Sequence, residues 1–191
     1  MESDIELMLR TKSGDDGAFS ELMRRHYKGV VNYIYRFTNR GDNSEDLAQE
    51  VFLRIYRSAG QYKPEAKFST WLYKIATNVS LTYVKKKGNN SLSLDEIDDS
   101  GDATGNPALD IADDIIYRKE IMSVIFEAME SLPEREKVAI MLCKYEGLSY
   151  EEVAQVLECT VGAVKAYVHR GRMKLIERLK PYLSEGGDYG V

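Results

Sequence analysis

The sequence predicts an all-α protein: two small helical domains joined by an acidic flexible linker, the C-terminal one containing a helix-turn-helix. Three observations predict it. Apolar residues recur at helical spacing on both sides of the chain's middle, the mark of amphipathic helices. No segment sustains the apolar–polar alternation of a half-buried strand. Between the halves, residues 88–116 carry 8 acidic and no basic side chains, against 15 basic and 11 acidic in 1–87, and 11 and 12 in 117–191. The expected organisation is a first domain over 1–87, a linker over 88–112, a second domain over 113–183 and a tail over 184–191. No internal repeat is visible.

In the first domain, Ala18, Phe19, Leu22, Met23, Val30 and Ile34 recur at helical spacing until Asn39, Gly41 and Asp42 break the pattern. Ser44 can cap a second helix, which carries Leu47, Val51, Phe52 and Ile55 on one side. Gly60 and Pro64 mark a loop. A third helix is expected from about Phe68 to Lys87, burying Trp71, Leu72, Ile75 and Val79. The linker, Gly88 to about Asp110, is dominated by turn formers and acids, a composition that does not bury enough apolar surface to order itself.

The second domain repeats the style without repeating the residues. Ile115, Met122, Ile125 and Met129 form one stripe, and Val138, Met141, Leu142 and Tyr145 the next. Pro133 stands where a first helical turn accepts it, and Gly147 ends that helix. Ser149-Tyr150-Glu151-Glu152 reads as a capping box, Ser followed three residues later by Glu. A short helix with Val153, Ala154 and Leu157 inward follows. Glu158-Cys159-Thr160 then makes a tight break, and a long helix starts at Val161. Two helices joined by three residues make a helix-turn-helix, although Glu158 stands in the turn where many such motifs have Gly.

That last helix has two faces. Val161, Val164, Val168 and Leu175 are spaced for packing; Lys165, His169 and Arg172 lie on another side, with Arg170 beside them. Gly162, Ala163 and Ala166 are small, which lets a backbone approach a groove wall while Lys and Arg reach guanine edges or phosphates. The plainer reading is an amphipathic helix with a solvated basic face. On the Phe68 helix, Thr70, Lys74, Thr77 and Asn78 share a side with Tyr73 near its edge. Rings stack on unpaired bases, amides read base edges and lysines hold phosphates. The competing reading makes Trp71 and Tyr73 core and Lys85, Lys86 and Lys87 a helix C-cap; the register of Trp71 with Ile75 favours it for Trp71. Asp46, Gln49, Glu50 and Leu53 share a face opposite the apolar stripe of their own helix, either solvated surface or a dock for a basic partner.

Composition excludes several classes. The 191-residue chain has a formal charge of -5, two cysteines (Cys143, Cys159) and two well-separated histidines (His26, His169). That is no disulfide framework and no clustered zinc-ligand set, so both cysteines are expected reduced and structural. No transmembrane run or signal-peptide core is apparent, so a cytoplasmic location is expected. There is no glycine-rich phosphate loop and no nucleophile–base pairing. No cofactor, metal or small-molecule substrate is expected, and an enzyme is the least favoured class.

The segments Glu45-Asp46-Leu47-Ala48-Gln49-Glu50-Val51-Phe52, Lys67-Phe68-Ser69-Thr70-Trp71-Leu72-Tyr73-Lys74-Ile75-Ala76-Thr77-Asn78, Leu132-Pro133, Gly147-Leu148-Ser149-Tyr150-Glu151-Glu152-Val153-Ala154 and Val161-Gly162-Ala163-Val164-Lys165 occur in that order, followed by His169-Arg170-Gly171-Arg172. Together, over nearly the whole chain, they resemble the extracytoplasmic-function sigma factors of bacteria, the smallest members of the sigma-70 family. The resemblance implies that Asp46, Gln49, Glu50 and Leu53 bind bacterial core RNA polymerase. It implies that Lys67, Phe68, Ser69, Thr70, Tyr73, Lys74 and Asn78 melt and read the minus-10 promoter DNA. Tyr150, Thr160, Gly162, Lys165, Ala166, His169, Arg170 and Arg172 then read the minus-35 element. Ala166 and Tyr167 depart from the Ser or Thr and the Arg common in relatives. An anti-sigma factor, often membrane-bound, is the further implied partner. The rival reading is a stand-alone helix-turn-helix regulator, which predicts a dimer and duplex binding without polymerase.

Overall fold

The computed structural model describes residues 2–38, 43–90 and 123–185. Among them every regular element is helical. Helix α1 (Asp4–Lys12) starts at a capping box in which the Glu6 amide donates to Ser3 Oγ and the Ser3 amide to Glu6 Oε2. Helix α2 (Asp16–Phe37) starts on Asp15, whose carboxylate accepts from the Ala18 amide at 3.0 Å. Helix α3 (Ser44–Arg57) follows. Asn43, not Ser44, holds the cap position, without a side-chain cap bond; Ser44 is buried inside the first turn. A 3₁₀ turn (Ala59–Gln61) leads to α4 (Phe68–Asn90), which runs three residues past the end expected at Lys87.

These four helices enclose one core. Leu22, Val30 and Ile34 of α2, Val51, Phe52 and Ile55 of α3, and Leu72, Ala76 and Val79 of α4 are buried. Removing such side chains from water contributes about 1.5–3 kcal/mol each. Trp71 and Ile75 are only half-buried. They pack over the core's edge, with the Trp71 ring 5.2 Å from Tyr62 and 6.4 Å from Phe68. Tyr33 is buried with its hydroxyl 2.8 Å from Thr77 Oγ1, and burial pushes its phenol well above the ordinary value. Asn39, Gly41, Asp42, Ile115, Met122, the linker beyond Asn90 and the tail beyond Glu185 lie outside the described residues.

The second group of helices is α5 (residues 123–130), α6 (Glu134–Lys144), α7 (Tyr150–Leu157) and α8 (Val161–Glu185). Pro133 is the N-cap of α6 rather than inside its first turn. Tyr145 caps the other end and is exposed, so it leaves the expected stripe, whereas Val138, Met141 and Leu142 are buried. Gly147 takes φ +68, a backbone that L side chains adopt poorly. Where α6 and α8 cross, a Cβ added at Gly171 would stand 2.5 Å from Ile140 Cδ1. A side chain there requires the Ile140 side chain to shift. Helix α8 continues through Pro181.

The two groups touch. Helix α4 packs against α7, and buried Lys137 of α6 donates to the carbonyl oxygen of Phe37, the last residue of α2, at 2.8 Å. A cation suits a helix C-terminus, where unpaired carbonyls concentrate negative potential.

Candidate nucleic-acid interface

The helix-turn-helix is built from local chemistry. Ser149 Oγ accepts the Glu152 amide at 3.2 Å, and Glu152 accepts the Ser149 amide at 2.8 Å, fixing where α7 begins. The turn is closed by Glu158 in the left-handed conformation, φ 50 and ψ 52, as the C-cap of α7. The motif's usual glycine conformation is thus present without the glycine. Thr160 Oγ1 accepts the Ala163 amide at 3.2 Å and starts α8. Val164 and Val168 are buried, with Val161 and Leu175 half-buried behind them.

This packing leaves Thr160, Gly162, Lys165, His169 and Arg172 exposed. Lys165, His169 and Arg172, together with Tyr150, Met173 and Ile176, line one shallow concavity. Seven of the eight sequence-expected residues, Tyr150, Thr160, Gly162, Lys165, His169, Arg170 and Arg172, are therefore exposed on α8 and the two helix starts. Ala166 is half-buried. Arg170 turns toward α6: its Nε donates to Glu136 Oε1 at 3.0 Å and its guanidinium stacks 5.3 Å from the Tyr167 ring. Lys174 Nζ reaches the other carboxylate oxygen at 2.9 Å. Burial opposes ionisation of Glu136, but Lys174 and Arg170 outweigh it and hold the carboxyl below its usual range.

The α4 set divides. Lys67 and Asn78 are exposed, and Ser69 and Lys74 half-exposed. Phe68, Thr70 and Tyr73, expected to meet bases, are buried. Phe68 packs on Trp71 and His26, and Tyr73 lies edge-on to Tyr33 and donates its hydroxyl to Glu146. Thr77, read as sharing the exposed side, is buried against Tyr33. Helix α4 is covered on more of its circumference than its composition implies, because both α2 and the second group of helices lie on it. Thr70 Oγ1 is buried without a hydrogen-bond partner.

Sequence reasoning missed two cations. Arg54 and Arg57 of α3 line a concavity with Ser58, Ile75 and Asn78. Their i, i+3 spacing at the end of α3 was the available signal, but nothing in the sequence told which helix they faced. On the opposite part of α3, Asp46, Gln49 and Leu53 are exposed and Glu50 is half-exposed, paired with Arg54 at 2.6 Å. Exposed Tyr56 extends that face. The four expected residues thus form one mixed acidic–apolar patch, away from the buried stripe of Val51, Phe52 and Ile55.

Among the described residues no cluster of His, Cys, Asp and Glu is arranged to hold a metal ion, and no helix is long and apolar enough to cross a membrane. Cys143 and Cys159 are free and half-buried; burial pushes the Cys143 thiol up, which disfavours the reactive thiolate.

Comparison with known proteins places both halves. Residues 22–90 match the family described as Sigma-70 region 2, and residues 123–175 match Sigma-70, region 4. The RNA polymerase sigma-H factor of Pseudomonas aeruginosa is 32% identical over 188 residues, covering 96% of this chain and 97% of that one. The ECF RNA polymerase sigma-E factor of Escherichia coli K12 is 31% identical over 185 residues, covering 95% and 96%. The fold is shared with CnrH, solved in complex with the cytosolic domain of CnrY, at a TM-score of 0.72 and 21% identity, covering 94% of this chain and 99% of that one. It is shared also with the sigma factor RpoE of Bartonella quintana, solved with the anti-sigma factor NepR, at 0.64 and 22%, covering 85% and 96%.

Proposed function

Since the chain belongs to the extracytoplasmic-function branch of the sigma-70 family, we propose that it is a dissociable initiation subunit that seats on bacterial core RNA polymerase and supplies promoter recognition and strand opening. The polymerase does the chemistry. The observation that carries this reading is the pairing of two surfaces on one chain. One is a helix-turn-helix with Lys165, His169 and Arg172 exposed on its second helix; the other is helix α4 with the residue before it, which present Lys67, Lys74 and Asn78.

Each surface suits its task chemically. Lys165, His169 and Arg172, at i, i+4 and i+7, reach the floor and walls of a major groove at minus-35, with Tyr150 and Thr160 at the helix starts on the flanking phosphates. Gly162 keeps the start of α8 thin. Asn78, with Arg54 and Arg57 beside it, offers amide and guanidinium groups to an unstacked base and its phosphates at minus-10. The α3 patch of Asp46, Gln49, Glu50 and Leu53 docks a basic helical surface of the polymerase. An anti-sigma factor is the regulatory partner, by analogy with the complex solved for RpoE. The site of action is the cytoplasm, where polymerase and promoter are.

The test is Asp46→Arg. It should abolish co-purification with core polymerase and promoter-specific transcription while thermal unfolding falls by no more than about 4 °C, because Asp46 is exposed and contributes to the fold only as an acid in the first turn of α3. A variant that binds core polymerase normally overturns the assignment of α3. Salt-sensitive duplex binding as a free dimer, with no response to polymerase, overturns the whole reading.

A further inference from the structure

Helix α1 precedes the residues matched to Sigma-70 region 2, which begin at residue 22. It is nevertheless built into that domain. Leu7, Met8 and Thr11 are buried, and the helix packs on α2, on the 3₁₀ turn and on α4. Its polar side chains reach the two ends of one short segment, residues 62–68, which joins the 3₁₀ turn to α4. At the near end, Lys12 Nζ donates to the carbonyl oxygen of Tyr62 at 3.1 Å. At the far end, Asp4 Oδ2 stands 2.7 Å from Nε2 of His26, and the His26 ring lies 5.3 Å from the Phe68 ring. Asp4 is itself held, because Arg25 Nη1 donates to its other oxygen and to the Glu2 carbonyl oxygen, each at 2.8 Å.

Tyr62 and Phe68 are buried, and their rings meet Trp71 at 5.2 and 6.4 Å. Between them Lys63, Pro64, Glu65 and Lys67 are exposed. Among the described residues the amides of Lys63, Glu65, Ala66 and Lys67 make no backbone hydrogen bond. Inside the segment the Tyr62 hydroxyl reaches the Ala66 carbonyl oxygen at 3.5 Å, beyond the usual length of such a bond. A stretch with so little internal bonding holds one shape through its ends, because its free backbone entropy opposes a single conformation. Helix α1 supplies a hold at each end.

We propose that α1 is a positioning element for the minus-10 strand: Lys12 and the Asp4–His26 pair fix the shape of residues 62–68, and so set where Lys63 and Lys67 offer their ammonium groups to phosphates beside α4. The proposal rests on the reading of Lys67 and α4 as the strand-binding surface. Lys12, Asp4 and His26 touch no DNA in this arrangement; they act through the segment they fasten. An unpaired strand is itself flexible, so a surface whose cations already stand in place loses less entropy on binding than one that must order at the same moment. Capture of the unpaired strand drives opening of the duplex. A loosened segment therefore shows as a defect in opening, not in polymerase binding.

The double variant Lys12→Met with Asp4→Asn tests this in the full chain, and Lys12→Arg, which keeps a donor for the Tyr62 carbonyl, is its conservative control. Trp71 is the protein's single tryptophan and packs on both Tyr62 and Phe68, so its fluorescence reports on the segment without a label. Acrylamide should quench it more strongly in the double variant and equally in Lys12→Arg and wild type. Each chain is then joined to core polymerase and assayed at a promoter located by mapping the RNA 5′ ends that wild type produces. One template is fully duplex; the other is pre-opened by mismatches across the minus-10 region. On the duplex the double variant should make about fivefold less RNA, the effect of one ordinary hydrogen bond. On the pre-opened template it should match wild type, and Lys12→Arg should match it on both. Unchanged quenching, an unchanged duplex yield, or an equal fall on the two templates, which general loss of fold gives, overturns the proposal. Wild type that starts no promoter-specific RNA fails the reading of function instead, and this proposal with it.

Discussion

Replacing Glu136 by Gln loosens the seat of the recognition helix. The Glu136 side chain is 6% exposed and its two oxygens hold Arg170 at 3.0 Å and Lys174 at 2.9 Å, tying the start of α6 to the middle of α8. A hydrogen bond to a charged group contributes about 1.5–3 kcal/mol when both ends are shielded. Here the cations are 51% and 46% exposed, so each returns to water on release, and about 0.5–1 kcal/mol per bond is the appropriate discount. The sum, about 1–2 kcal/mol, lowers Tm by about 3–6 °C in a chain of this size. The pH dependence follows from the depressed carboxyl. Its ordinary value is 4.5, and Lys174 and Arg170 hold it lower against the opposing effect of burial. The contribution is therefore complete above pH 4.5 and is lost as pH falls through the depressed value. Thermal unfolding of wild type and Glu136→Gln across an acid pH series measures both. The gap should be full at neutral pH and should close as pH falls below 4.5 through the depressed value. A gap under about 1 °C at neutral pH, or one that persists undiminished in acid, refutes the ion-pair account.

Gly171→Val should destabilise the second domain by about 1–3 kcal/mol, because its Cβ falls 2.5 Å from Ile140 Cδ1 at the α6–α8 crossing and the buried Ile140 side chain must leave its rotamer; chemical denaturation monitored by circular dichroism measures it, and a neutral result means that Ile140 gives way freely. Thr77→Val should cost about 1–3 kcal/mol by leaving the buried Tyr33 hydroxyl without its partner. Adding Tyr33→Phe should recover much of that loss, so a double-mutant cycle with no coupling removes the bond from the account.

Local chemistry was legible in the sequence, and facing was not. The Ser149–Glu152 box, the Gly147 stop and the stripe of Val164 and Val168 each depend on residues a few positions apart, and each is found where the spacing put it. The burial of Phe68 and Thr70 was not legible because which side of α4 is covered depends on α2 and on the second group of helices, whose packing has no signature in a short window; for Tyr73 the sequence left core and surface both open. Ser44 illustrates a nearer failure: a good capping residue adjoins Asn43, and the helix begins one residue earlier than its chemistry suggests. The bond from Arg170 to Glu136, 34 residues away, has no signature in a short window either. Glu158 is the opposite case. In sequence it weakens the helix-turn-helix assignment, while in the structure it adopts the glycine-like conformation and points its charge at Lys74.

The decisive measurement is transcription from genomic DNA by purified bacterial core polymerase with and without this chain, with every RNA 5′ end mapped. The account predicts new start sites that share two upstream DNA elements at fixed spacing, present only when the chain is added and lost with Asp46→Arg. An unchanged set of start sites contradicts it.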